Sequence, residues 1–229
     1  VLFHLAEPAA LLGIVLAFVI GIVVHDGAQI LAARLARDPI PRRSGRLTAG
    51  VGTQRISPFS WVGVLIGGVG WAEPIRMNDV WRKRRFHVAA ALLAGPLSYA
   101  LLALASLAGA RALTRRAVID TGDRAAEIVG GTFSVELLLW MAITFGSLCI
   151  LSLVPVPPTD GGRILFLLGP QSEGWRKANY KLTEGNLGVV IILAVIILPV
   201  LFPGFPSVIG QLIWPLTRGL GSLIGMELP

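Results

Sequence analysis

Among the 229 residues there are one cysteine, Cys149, three histidines and only 14% charged residues. A single thiol excludes an internal disulfide framework and any cysteine-based metal site within the chain. So little charge, set against 54% hydrophobic residues and a mean hydropathy of +0.74, excludes an ordinary soluble domain and points to a multi-span membrane protein. Acids are scarcer than bases, 13 against 20, which leaves a formal charge of +7. The bases flank apolar runs, so the excess reads as positive-inside topology and attraction to anionic lipid head groups, and nucleic acid is not expected as a partner. The chain starts at Val1 rather than Met, so a short N-terminal piece is expected to be missing from it; the first apolar run lacks a basic leader and continues into polar residues, so no cleavable signal peptide is expected.

Residues 8–36 form the first helix candidate, long enough to cross a bilayer and protrude. It should stop before Pro39 and Pro41. Residues 38–85 carry nine Lys/Arg against three acids, with Arg82, Lys83, Arg84 and Arg85 directly before the next apolar run. This loop is placed in the cytoplasm, its basic cluster facing anionic lipids. Within it, the apolar stretch 61–71 is too short to span. Its glycines and β-branched residues suggest a membrane-associated hairpin or re-entrant segment, with a plain interfacial loop as the other reading. Further spans are expected over 86–110, with Ala94-Gly95-Pro96 as a kink, over 134–154 and over 187–202. Residues 111–133 read as an exterior loop and 171–186 as a polar cytoplasmic one. The tail, 207–226, is open between a fifth span, a broken hairpin and an amphipathic surface helix. The whole chain, 1–229, is read as one membrane domain.

The end of the first apolar run holds His25, Asp26 and Gln29 where a hydrophobic helix should carry only Leu and Val. Ionisable groups at membrane depth cost a few kcal/mol or more, so they mark a functional-site hypothesis. His25 and Gln29 are one turn apart on one helical face. Asp26 lies about 100° around the helix and reads either as part of that site or as an interfacial residue. The spacing echoes the zinc-protease pattern H-E-x-x-H with two of its three fixed letters changed. Much later, Pro155-Val156-Pro157-Pro158 breaks an apolar stretch just before Asp160. Such a break is tolerated in a membrane only where protein or a polar cavity covers it, so Asp160 should face inward. His87 reads as an interfacial histidine, His4 as too far along the chain to join the site, and Cys149 as a packing residue. Trp61, Trp71, Trp81 and Trp175 read mostly as interfacial anchors.

Five landmarks in order, the His25 helix, DPIPRRSGRLT, GWAEPIRMN, LLAGPLSYALLA and LVPVPPTDGGRIL, resemble the site-2 protease family of zinc-dependent intramembrane metalloproteases. The likeness runs over roughly residues 8–168 and implies an all-α polytopic membrane protein, with a site-2-protease-like core of about four to six transmembrane helices. It implies that His25 matches the first zinc-binding histidine and Asp160 the aspartate ligand. Gln29 stands where the second histidine ligand belongs, and Asp26 where the catalytic glutamate belongs. Tyr99 and Ser152 replace two further polar positions of the family's pattern.

Catalytic zinc requires three good protein ligands and an open position for water, and a neutral amide oxygen is a much poorer donor than imidazole. Asp in place of Glu retracts the carboxylate by one methylene. A base misplaced by on the order of 1 Å loses ~100-fold in rate. The departures fall on polar positions while the Gly/Pro scaffold is kept, the pattern of a pseudoenzyme. No catalytic residue is therefore expected, and no metal; His25, Gln29 and Asp160 are vestigial ligand positions, readable as a residual metal site or as a metal-free hydrogen-bonded cluster. The resulting expectation is an inactive site-2-protease-like protein of the bacterial cytoplasmic membrane that binds other membrane proteins, within a larger complex. The alternatives are a divergent protease that binds zinc and cleaves a transmembrane substrate, and a small transporter or proton-conducting element built on His25, Asp26 and Asp160.

Overall fold

A computed structural model describes residues 6–46, 55–77, 85–113, 118–122, 125–129, 133–170, 172–202, 204–205 and 207–223. His4, Trp81 and the first three members of the basic cluster, Arg82, Lys83 and Arg84, lie outside the described residues.

Three helices carry the molecule: α1 (Pro8–Leu35), α4 (Arg85–Leu113) and α5 (Phe133–Leu153), each long and apolar enough to cross a membrane. The chain is thus a helical polytopic membrane protein. α1 opens on Pro8, whose missing N–H costs nothing in the first turn. It closes where Arg37 turns left-handed (φ 60°) and Asp38 N–H reaches back to the Ala33 carbonyl at 2.9 Å, ahead of Pro39. α4 runs as one helix through Gly95 and Pro96. The three pack on one another through Ala17, Phe18, Ile22, Tyr99, Ala103, Phe145 and Leu148, with Cys149 buried among them. Their outward faces keep Leu12, Leu16, Leu97 and Leu101 exposed, as lipid contact requires.

The shorter elements surround this bundle. α2 (Ile40–Arg43) is a single turn beside the end of α1, and α3 (Pro58–Gly67) is a ten-residue apolar helix. Residues 61–71 are therefore not a hairpin. Ser57 caps α3 by accepting from Ser60 N–H, helical hydrogen bonding takes up the apolar run, and Gly68 (φ 75°) ends it. Residues 69–77 then run extended. Between α4 and α5 lies a two-stranded antiparallel hairpin, β1 (Val118–Gly122) with β2 (Ala125–Val129), in the register Val118 to Val129.

After the Pro-rich break come α6 (Asp160–Leu168) and α7 (Glu173–Thr183), the latter a surface helix with no buried residue where only a polar loop is expected. Asn186 in the left-handed region (φ 54°) turns the chain into α8 (Leu187–Leu201), bent 60° from α7. Counting that bent pair as one gives up to four spans among the described residues, at the low end of the expected range. The tail forms α9 (Val208–Leu223), which packs on α5 and α4 with Ile213 buried.

One of the tryptophans departs from the interfacial reading: Trp71 is buried against Ile192 and Ile196 of α8. Trp175 is half-buried and packs on Phe166 at 4.8 Å between ring centroids. Trp61 and His87 are exposed.

The break at 154–159 is an interior stretch whose backbone helix bonds do not serve. Thr159 serves it instead. Its one hydroxyl hydrogen is shared between the carbonyls of Val154 (2.5 Å) and Val156 (2.9 Å), and its oxygen caps α6 by accepting from Gly162 N–H. Thr159→Ala should lower the unfolding free energy by about 2 kcal/mol, from a lost cap and exposed carbonyl demand. Thr159→Ser should retain most of it, as read by denaturant titration in detergent.

Candidate functional site

α1 delivers His25, Asp26 and Gln29 to the interior, where their exposures are 4%, 0% and 1%. The start of α6 delivers Asp160, also buried, from 135 positions further along. The four meet. His25 Nε2–H donates to Asp160 Oδ2 at 2.7 Å, and Gln29 Nε2 donates to Asp160 Oδ1 at 2.8 Å. The second hydrogen of the Gln29 amide goes to the Leu92 carbonyl on α4 at 3.2 Å. Two acceptors face that end of Gln29, which fixes its nitrogen rather than its oxygen toward Asp160.

Gly95 allows α4 to come this close. A methyl group there would run into His25 Nε2 and the Gln29 amide. Tyr99, one turn on, stacks its ring on His25 at 4.9 Å between centroids and 25° between planes. Beside the trio is a cavity of about 20 Å3, bounded by His25, Trp71, Ala72, Tyr99, Ser152 and Asp160. It has room for roughly one water molecule. Ser152 lines it but turns its hydroxyl back to the Cys149 carbonyl at 2.8 Å.

Asp26 points away from Asp160 and not to an interface. It is wholly buried, and its Oδ2 meets the guanidinium groups of Arg46 (3.3 Å) and Arg55 (3.5 Å), while Oδ1 lies 3.6 Å from His25 Nδ1. The interfacial reading of Asp26 is thus overturned, because two cations from the following loop provide the compensation a buried carboxylate needs. Sequence reasoning missed both arginines. They lie within a loop whose positive charge had a topological explanation, and the one available signal was the unpaired carboxylate of Asp26.

These donors do not suit zinc. His25 and Asp160 are donor types that zinc takes, but the third side chain is the Gln29 amide, a much poorer donor than imidazole. Among the described residues no group of three or more His, Cys, Asp and Glu side chains converges. The trio can hold protons and hydrogen-bonding groups.

Fold and site together define a polytopic helical membrane protein with a buried polar cluster between its first helix and a Pro-rich break. The chain is 27% identical over 193 residues, 81% of its length and 80% of the relative's, to the "Putative zinc metalloprotease YwhC" of Bacillus subtilis (strain 168). That similarity supports a metalloprotease-like family. No family model matches the chain, and no solved structure does.

Removing the acceptor shared by His25 and Gln29 strands two buried donors at about 1–3 kcal/mol each. Asp160→Ala should therefore lower stability in detergent by about 2–5 kcal/mol, and Asp160→Asn, which keeps one acceptor, by less. Equal midpoints for Asp160→Ala and the parent in a denaturant titration would contradict the arrangement.

Proposed function

We propose that the protein is a catalytically inactive, site-2-protease-like membrane protein that works by binding transmembrane partners, as a structural or regulatory subunit. The observation that carries this reading is the closed geometry of Asp160, whose two carboxylate oxygens are taken by His25 and Gln29. Two features add support. The Glu position of the resembled motif holds Asp26, engaged by two guanidinium groups, and an amide stands at the second histidine position.

The retained scaffold of α1, α4 and α5 offers a binding body with almost no soluble part. Partners are other membrane proteins of a larger complex, together with anionic lipids at the basic cluster ending in Arg85. Residues 38–85 face the cytoplasm of a bacterial cell on the positive-inside argument.

The second reading, a divergent zinc-dependent intramembrane protease, draws on the name carried by the Bacillus subtilis relative. Elemental analysis separates the two. The natural protein should carry zinc well below one equivalent, and a Gln29→His/Asp26→Glu variant should approach one, since it regains a second imidazole. One equivalent of zinc in the natural protein, lost on His25→Ala, would sink the binding reading and restore the protease. Retention of membrane partners through mild detergent extraction is expected on the first reading alone.

A further inference from the structure

We infer that Asp26 is a positioning residue. It is the fixed anion of a buried Asp26–Arg46–Arg55 anchor that holds the extended segment 69–77 as a wall of the cavity beside His25 and Asp160. The inference goes beyond the binding function proposed above and holds whether or not the neighbouring cluster takes a metal.

The extended segment has an unusual backbone economy. It lies in no sheet, since β1 and β2 are the two paired strands among the described residues. Its peptide groups are met by side chains and by one loop carbonyl. At its start, the Ser60 hydroxyl accepts from Trp71 N–H and donates to the Trp71 carbonyl, both at 2.8 Å. In its middle, Arg46 donates to the carbonyls of Glu73 (2.6 Å) and Pro74 (3.4 Å), and Glu73 N–H donates to the Arg55 carbonyl at 2.7 Å. Further on, Arg163 donates to the Ile75 carbonyl at 2.6 Å.

Both groups that hold Glu73, the Arg46 guanidinium and the Arg55 backbone, belong to residues that converge on Asp26. Arg55 also donates to the Arg46 carbonyl, which ties the two ends of the 46–55 loop together. Arg46 and Arg55 are 9% and 3% exposed. Burying two guanidinium groups demands an anion, and among the described residues Asp26 is a carboxylate that contacts both. The order of dependence is then fixed: Asp26 sets the arginines, the arginines set residues 73–74, and these set Trp71 and Ala72 at the cavity. The position that a general base would occupy in the resembled motif is committed to holding the wall of the site.

The test uses the full-length protein in membranes. An Ile75→Cys reporter, buried at 2% in the parent, is labelled with a maleimide, and the natural Cys149 in α5 serves as an internal reference for an intact bundle. Asp26→Asn should speed reporter labelling about tenfold or more while Cys149 stays protected. Asp26→Glu, which keeps the anion, should stay within about threefold of the parent. Arg46→Met should match Asp26→Asn, and the two combined should label no faster than the faster single variant, because both break one chain of contacts. Parent-like labelling in Asp26→Asn would overturn the proposal. So would a double variant whose acceleration is the product of the singles. Simultaneous exposure of Cys149 would overturn it as well, since Asp26 would then support the whole bundle rather than this segment.

Discussion

A carboxylate in an apolar interior must be surrounded by donors, and Asp160 is the carboxylate around which this structure closes. The donors come from α1, through His25 and Gln29, and Gln29 extends the contact to the backbone of α4. One side chain thus ties three elements that are far apart in sequence. Everything nearby is arranged to permit it. Gly95 clears space for the imidazole, Tyr99 covers the ring, and Thr159 satisfies the broken backbone that brings Asp160 inward.

Asp26 follows the same rule with different partners. Adjacent to His25 in sequence, it cannot share that helical face, and it recruits Arg46 and Arg55 instead. The two networks touch where His25 Nδ1 and Asp26 Oδ1 approach to 3.6 Å. One network joins α1 to α6 and α4, and the other joins α1 to the loop and to the extended segment. The polar interior of the protein is therefore a pair of fasteners between elements.

Hydrophobic runs reveal long helices easily, because some twenty apolar residues have few alternatives in a bilayer. The helices Pro8–Leu35, Arg85–Leu113 and Phe133–Leu153 follow runs visible in the chain. Short elements were less legible. Residues 61–71 have the glycines and β-branched residues of a hairpin, yet a Ser57 cap and Pro58 at the first position start a helix there. Residues 173–183 look like a polar loop because charged and polar residues dominate the stretch and its helix buries no residue. Trp71 reads as an interfacial anchor until the packing of α8 covers it.

By itself the sequence determined the membrane character, the long helices and the four polar residues that require explanation, since hydropathy and the cost of buried charge are local properties. By resemblance it also placed Gln29 and Asp26 where the family's pattern has a histidine and a glutamate. Only the tertiary structure decided which polar groups pair. Asp160 meets His25 and Gln29 across more than 130 positions, and Asp26 turns to two arginines that had read as topological charge. Pairing across such separations depends on how helices are docked, and no local pattern encodes the docking.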